Sequence, residues 1–258
     1  MISTLKLKEN KLSKIILLAA FVLTALPVFV SAQGSLTLSV SPTIFDMSAS
    51  PSQEWPSTIR VINSNPYEIK VYANAVNFAP QGEGGQGKFL PVISEQAQGD
   101  TVAEWIHINE EELVIPAEKT VEIPFTIKVP DNASPGGHFA AILIGTKQPK
   151  NANEVTQVQT SQVVTTLVFL RVAGDVNESG SIRSFRTTKG ILESPEATFE
   201  LRFENKGNVH ILPQGEIKIL NMWGEERGII PINRDTLFGN VLPNSVIKYD
   251  FTWKGEWS

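Results

Sequence analysis

The sequence predicts an all-β chain of two successive sandwiches behind an export signal, and three observations predict it. Apolar residues recur with period two through most of the chain, as they do in strands with one buried face. Turn chemistry interrupts these runs every dozen or so residues, the rhythm of short sandwich strands rather than of a barrel with long ones. No stretch after the leader sustains a helical period across three turns.

The leader comes first. Lys6, Lys8, Lys11 and Lys14 precede an uncharged apolar run from Ile15 to Val30 that closes on the small residues Ser31 and Ala32, the pattern of a cleaved signal peptide. The run contains Pro27 and falls short of the roughly 20 residues a membrane span needs, so residues 1–32 are expected to be removed and the mature chain to begin at Gln33. Removing Lys6, Lys8, Lys11, Lys14 and Glu9 takes 22 basic and 27 acidic residues to 18 and 26, a mature net charge of −8. Such a balance disfavours nucleic acid and anionic lipid as partners. The absence of cysteine removes disulfides, thiolate metal sites and thiol catalysis together, so burial alone must stabilise the exported chain.

Leu36-Leu38-Val40, Ile59-Val61 and Ile69-Val71-Ala73-Ala75 alternate cleanly, and the last run slips phase at Val76 and Phe78, which predicts a β-bulge near Asn74–Val76. From Thr120 to Val129, Val121, Ile123, Phe125, Ile127 and Val129 form a buried face. Pro124 on the wet face predicts a sheet edge or a bulge. Phe139–Ile144 and Val163–Val172 are apolar on both faces and read as a central hairpin, with Gly145–Gln162 as its polar, mobile loop. A turn-rich join at Gly174–Gly180 separates these from Phe199-Leu201-Phe203, Ile217-Ile219 and Ile247-Tyr249-Phe251-Trp253. Domain one is therefore placed at 33–175 and domain two at 176–258. Only five or six strands are visible after Val176 against the seven or so of a complete sandwich, so the second domain is expected to be truncated and the chain a fragment.

Each chemical motif has a bland competitor that wins. Gly82-Glu83-Gly84-Gly85-Gln86-Gly87-Lys88 matches a phosphate loop until Phe89 stands where Ser or Thr would hold magnesium, and Leu90-Pro91 forbids the helix that the mechanism needs. A flexible hairpin tip is expected there. Asp175-Val176-Asn177-Glu178-Ser179-Gly180 opens like a calcium loop, but Arg186 occupies the closing ligand position and an Asx-rich turn accounts for the same residues. His107, His138 and His210 lie in different elements with no second ligand at hairpin or helical spacing. Glu110-Glu111-Glu112 and Glu225-Glu226 are neighbours pointing to opposite strand faces, poor acid and base partners and better read as solvated charge. No Gly-x-Ser-x-Gly elbow is present. These negatives predict no catalytic residues, no metal and no cofactor. Trp105 and Trp253 are expected in the core, Trp55 and Trp223 in turns as the better exposed platforms for sugars; Trp257 follows the last strand.

The run Asp131-Asn132-Ala133-Ser134-Pro135-Gly136-Gly137-His138-Phe139-Ala140-Ala141-Ile142 resembles the corresponding turn and strand of the bacterial WxL-interacting protein family. Glu104-Trp105-Ile106, Pro116-Ala117-Glu118-Lys119, and Asn205-Lys206-Gly207-Asn208-Val209-His210 with Pro213 and Gly215 are similar to that family in the same order. The resemblance implies two tandem immunoglobulin-like β-sandwich domains in a bacterial envelope protein, the first associated with peptidoglycan and the second with another cell-surface protein. Members normally end in a transmembrane helix and a basic tail, neither of which this sequence carries; a membrane link is expected only through such a missing anchor. The sequence thus leads to an exported, non-catalytic surface protein with its binding residues unassigned. A structural stalk or adhesin module without glycan affinity, or a secreted chaperone that pairs strands with its clients, are the alternatives.

Overall fold

The computed structural model describes residues 37–90, 101–109, 111–146, 162–188, 196–234, 236 and 239–255. The leader, Leu36, Glu110, Trp257 and most of the Gly145–Gln162 loop lie outside the described residues. The described residues form one compact unit.

Fifteen strands and one single-turn helix, α1 (Val102–Trp105), make up the regular structure among these residues. The first sandwich pairs two sheets. One orders β1 (Leu38–Ser41), β3 (Glu54–Asn63), β8 (Thr120–Lys128) and β6 (Ile106–Ile108); the other orders β2 (Ile44–Ala49), β10 (Val163–Val172), β9 (Gly136–Gly145), β4 (Ile69–Gln81) and β5 (Gln86–Leu90). The short β7 (Leu113–Ile115) pairs with the start of β4. The opening chain changes sheets between β1 and β2, and β2 then runs parallel to β10, Ile44 opposite Leu167 through Ala49 opposite Val172. The predicted alternation builds the core: Ile123, Phe125 and Ile127 from β8 meet Val71, Ile142, Ile144, Val168 and Leu170 from the facing sheet. The β9–β10 hairpin is continuous from Val163 opposite Gly145 to Val172 opposite Gly136.

Two local expectations are corrected. The β4–β9 ladder runs unbroken from Tyr72 to Asn77, so there is no bulge at Asn74–Val76. The phase slips because β4 becomes covered on its second face: Phe78 packs with Phe169 and Leu242 where the second sandwich meets the first. Pro124 is not on an edge strand, since β8 lies between β3 and β6. However, β6 reaches only as far as Phe125, so the missing Pro124 donor falls just past the end of that ladder.

The second sandwich sets a three-stranded sheet, β11 (Gly180–Thr187), β12 (Glu196–Asn205) and β15 (Ser245–Lys254), against a hairpin of β13 (Gly215–Leu220) and β14 (Glu226–Ile232). One device closes a strand end in both sandwiches. Buried Asn63 donates its amide to the carbonyls of Tyr67, Ile115 and Pro116 while accepting from the N–H of Asn65. Asn205 donates to Val209 and Val241 and accepts from the N–H of Gly207. Each side chain satisfies backbone groups that turn away from the ladder inside the protein.

Candidate functional site

The join between the sandwiches is closed by residues that the sequence assigned to other roles. Gly82–Gly85 is indeed a hairpin tip, and Lys88 lies in β5 rather than at a helix start. It is not a free tip: Glu83 receives two hydrogen bonds from the Arg202 guanidinium, and its carbonyl accepts the Lys248 N–H at 2.7 Å. Hydrogen bonding to Arg202 lowers the Glu83 carboxyl pKa, desolvation opposing it. The would-be calcium loop is likewise a structural turn. Asn208 donates its amide to the Asp175 carbonyl at 2.8 Å and accepts the Asn177 N–H at 2.8 Å, while Glu178 pairs with Arg171.

The histidines do not converge. His107 Nδ1 lies 2.9 Å from the Trp105 carbonyl, and His138 Nε2 lies 2.8 Å from that of Ser134. His210 is buried at the join between the rings of Phe139 and Phe169, with Nε2 3.0 Å from Asp46 Oδ1. Among the described residues, no three of His, Asp and Glu gather in a metal-binding group. Of the acidic run, Glu112 is committed to Lys70 and to the Tyr72 hydroxyl. Trp55 is corrected as a platform. It lies in β3, half-buried, edge-on to Phe45. Trp105 is buried as expected, Trp253 is half-buried, and Trp223 is exposed.

Exposed large apolar side chains concentrate in the second sandwich, which holds Ile182, Phe185, Leu220, Met222, Trp223 and Ile229. Ile182 and Phe185 are the informative pair. Cross-strand register puts Ile182 opposite Phe203 and Phe185 opposite Leu201, and Tyr249 lies opposite Leu201 on the other side. Partners directly opposite share a face. Leu201 is buried, so this face is the inner one, yet Ile182 is 63% and Phe185 50% exposed. The cause is coverage. The β13–β14 hairpin packs towards β15, where Gly228 sits so close to the Trp253 indole that a Cβ would meet its nitrogen at 2.5 Å. Two strands cannot span three, and among the described residues the β11 side of the inner face stays open, with Phe185 stacked on Phe199 at 5.8 Å. Among the described residues β13 pairs only with β14, so its other edge has unpaired backbone groups. Alternation in β12 and β15 was legible, whereas the opening over β11 depends on where the hairpin lands.

A second edge without a full ladder lies in the first sandwich, where the Gln162 side chain accepts the Leu38 N–H at 2.9 Å and Thr166 Oγ1 donates to the Pro42 carbonyl at 3.0 Å. The parallel ladder with β2 begins at Leu167, whose N–H donates to the Thr43 carbonyl at 2.9 Å. Alternation turns the backbone groups of Val163 and Thr165 the same way, and among the described residues no strand pairs there; Val163 is 56% exposed.

No family model and no curated protein matches the chain. Similar solved structures include the class 5 fimbriae chaperone CfaA, at 10% identity over 82% of this chain and 84% of that one, TM-score 0.45. The E. coli chaperone DraB is similar at 14% identity over 84% and 86%, TM-score 0.41. A chain of the CsuC–CsuE chaperone–tip adhesion subunit complex of Acinetobacter baumannii is similar at 12% identity over 83% and 87%, TM-score 0.43.

Proposed function

We propose that this chain is an exported, non-catalytic envelope protein whose second immunoglobulin-like domain binds another protein by strand addition. The observation that carries the proposal is the pair Ile182 and Phe185, exposed on the same sheet face that buries Leu201. An extended partner segment with apolar residues at alternate positions would cover that pair and hydrogen-bond to a free strand edge, giving affinity through the backbone and selectivity through side chains. Export rests on the Lys6–Lys14 charges and the Ile15–Val30 run. The half of β10 ahead of Leu167, which no ladder pairs on its β2 side among the described residues, favours a second reading, strand pairing through the first domain in the manner of a chaperone. The resemblance to WxL-interacting proteins adds peptidoglycan as a third candidate ligand, for which the first sandwich offers no aromatic platform at Trp55 or Trp105.

Benzoylphenylalanine placed at position 182 or 163 of the exported protein tests all three. The expected result is a discrete protein adduct from position 182 that is lost in Phe185→Asp. An adduct from position 163 alone would move the contact to β10, and co-sedimentation with purified sacculi, without any protein adduct, would favour peptidoglycan and sink the proposal.

A further inference from the structure

The β13–β14 hairpin ends in a turn whose polar groups are spent on one another. Asn221 donates its N–H to the Glu225 carbonyl at 2.9 Å and accepts the Gly224 N–H on its own carbonyl at 3.0 Å. Its side-chain oxygen accepts the N–H groups of Trp223 at 3.0 Å and Glu225 at 2.9 Å, and its amide donates to the Glu225 carboxylate at 2.8 Å. Gly224 supplies the left-handed residue at φ 82°. On this braced frame Met222 is 87% and Trp223 76% exposed, beside Leu220 at 55%.

We propose that Met222 and Trp223 form a preformed anchor that inserts into an apolar socket of a partner protein whose rim carries lysine or arginine side chains. This rests on the reading that the second domain binds a protein. A turn already fixed by its own hydrogen bonds loses little conformational freedom on binding. Trp and Met are enriched at interface cores, and Trp dominates among residues whose truncation costs most. A sugar fits less well, because the Asn221 amide that would meet its hydroxyls is engaged within the turn. Glu216 pairs with Lys218 and Glu225 with Arg227, which leaves Glu226 as the hairpin's excess charge beside the tip, and the mature chain carries net charge −8, so a cationic rim is the complementary surface and an anionic bilayer is not.

The full chain with benzoylphenylalanine replacing Met222 is cross-linked in its own envelope, the partner is identified from the adduct, and that partner is purified free of the chain and titrated against it. Trp223→Ala is expected to weaken that complex about thirtyfold or more, and Glu225→Gln with Glu226→Gln severalfold with a flatter salt dependence, while Phe89→Ala on the first sandwich stays within about twofold. The proposal is overturned if Trp223→Ala binds within about twofold of the parent. It is equally overturned if the tip instead confers binding to phosphatidylglycerol-containing vesicles, to a peptidoglycan disaccharide or to a second copy of the chain. An adduct from position 182 with none from 222 overturns the anchor and keeps strand addition; the reverse keeps the anchor and removes strand addition.

Discussion

Asn63 and Asn205 hold together two strand ends in unrelated stretches of sequence, and each is wholly buried. Asn63→Ala would strand the carbonyls of Tyr67, Ile115 and Pro116 without their shared donor. At about 1–3 kcal/mol for a buried group left unsatisfied, the loss should reach at least about 2 kcal/mol in urea unfolding. A loss within about 0.5 kcal/mol would mean that water replaces the amide there. Phe125 gives the contrasting case: it is buried beside Phe45 at 5.3 Å, and Phe125→Ala should cost about 3–5 kcal/mol, against under about 0.5 kcal/mol for Thr126→Ala on the other face. Equal, mild effects in denaturant melts would contradict the assigned core. Phe125 was legible because its burial follows from period two. The roles of Asn63 and Asn205 were not, because each joins a nearby carbonyl to distant ones, Ile115 and Pro116 for Asn63 and Val241 for Asn205.

At the scale of elements, the β4–β5 hairpin is where local and tertiary reasoning part. Its glycines identified a turn, but nothing near them points to Arg202, more than a hundred residues later, as its partner. Because the Arg202 hydrogen bonds lower the Glu83 pKa in the folded chain, the folded carboxylate binds its proton less tightly than the unfolded one. By linkage, the stabilising contribution of Glu83 is fully present above the ordinary carboxylate range and is lost as pH falls through the lowered pKa. Thermal midpoints recorded from about pH 6 to about pH 3 should therefore fall more steeply for the parent than for Glu83→Gln. Parallel curves would show that the hairpin does not clasp the second sandwich in solution. Val76 and Phe78 follow the same lesson, since their phase made sense only once β4 proved to be covered on both faces.

For the whole molecule, the all-β class and the hairpin of β9 and β10 were legible because each strand's own pattern encodes its buried face. The candidate site was not, because exposure of Ile182 and Phe185 is a property of two sheets of unequal width. Strand addition requires that inner face to be open in the free protein and available to a partner strand. The most direct test is the unfolding free energy of Ile182→Ala measured beside Phe125→Ala. A side chain 63% exposed forfeits little on truncation, so the predicted cost is under about 1 kcal/mol, against about 3–5 kcal/mol at Phe125. A cost of about 3 kcal/mol or more at Ile182 would mean that the face is already covered within the folded chain, contradicting the proposed strand addition.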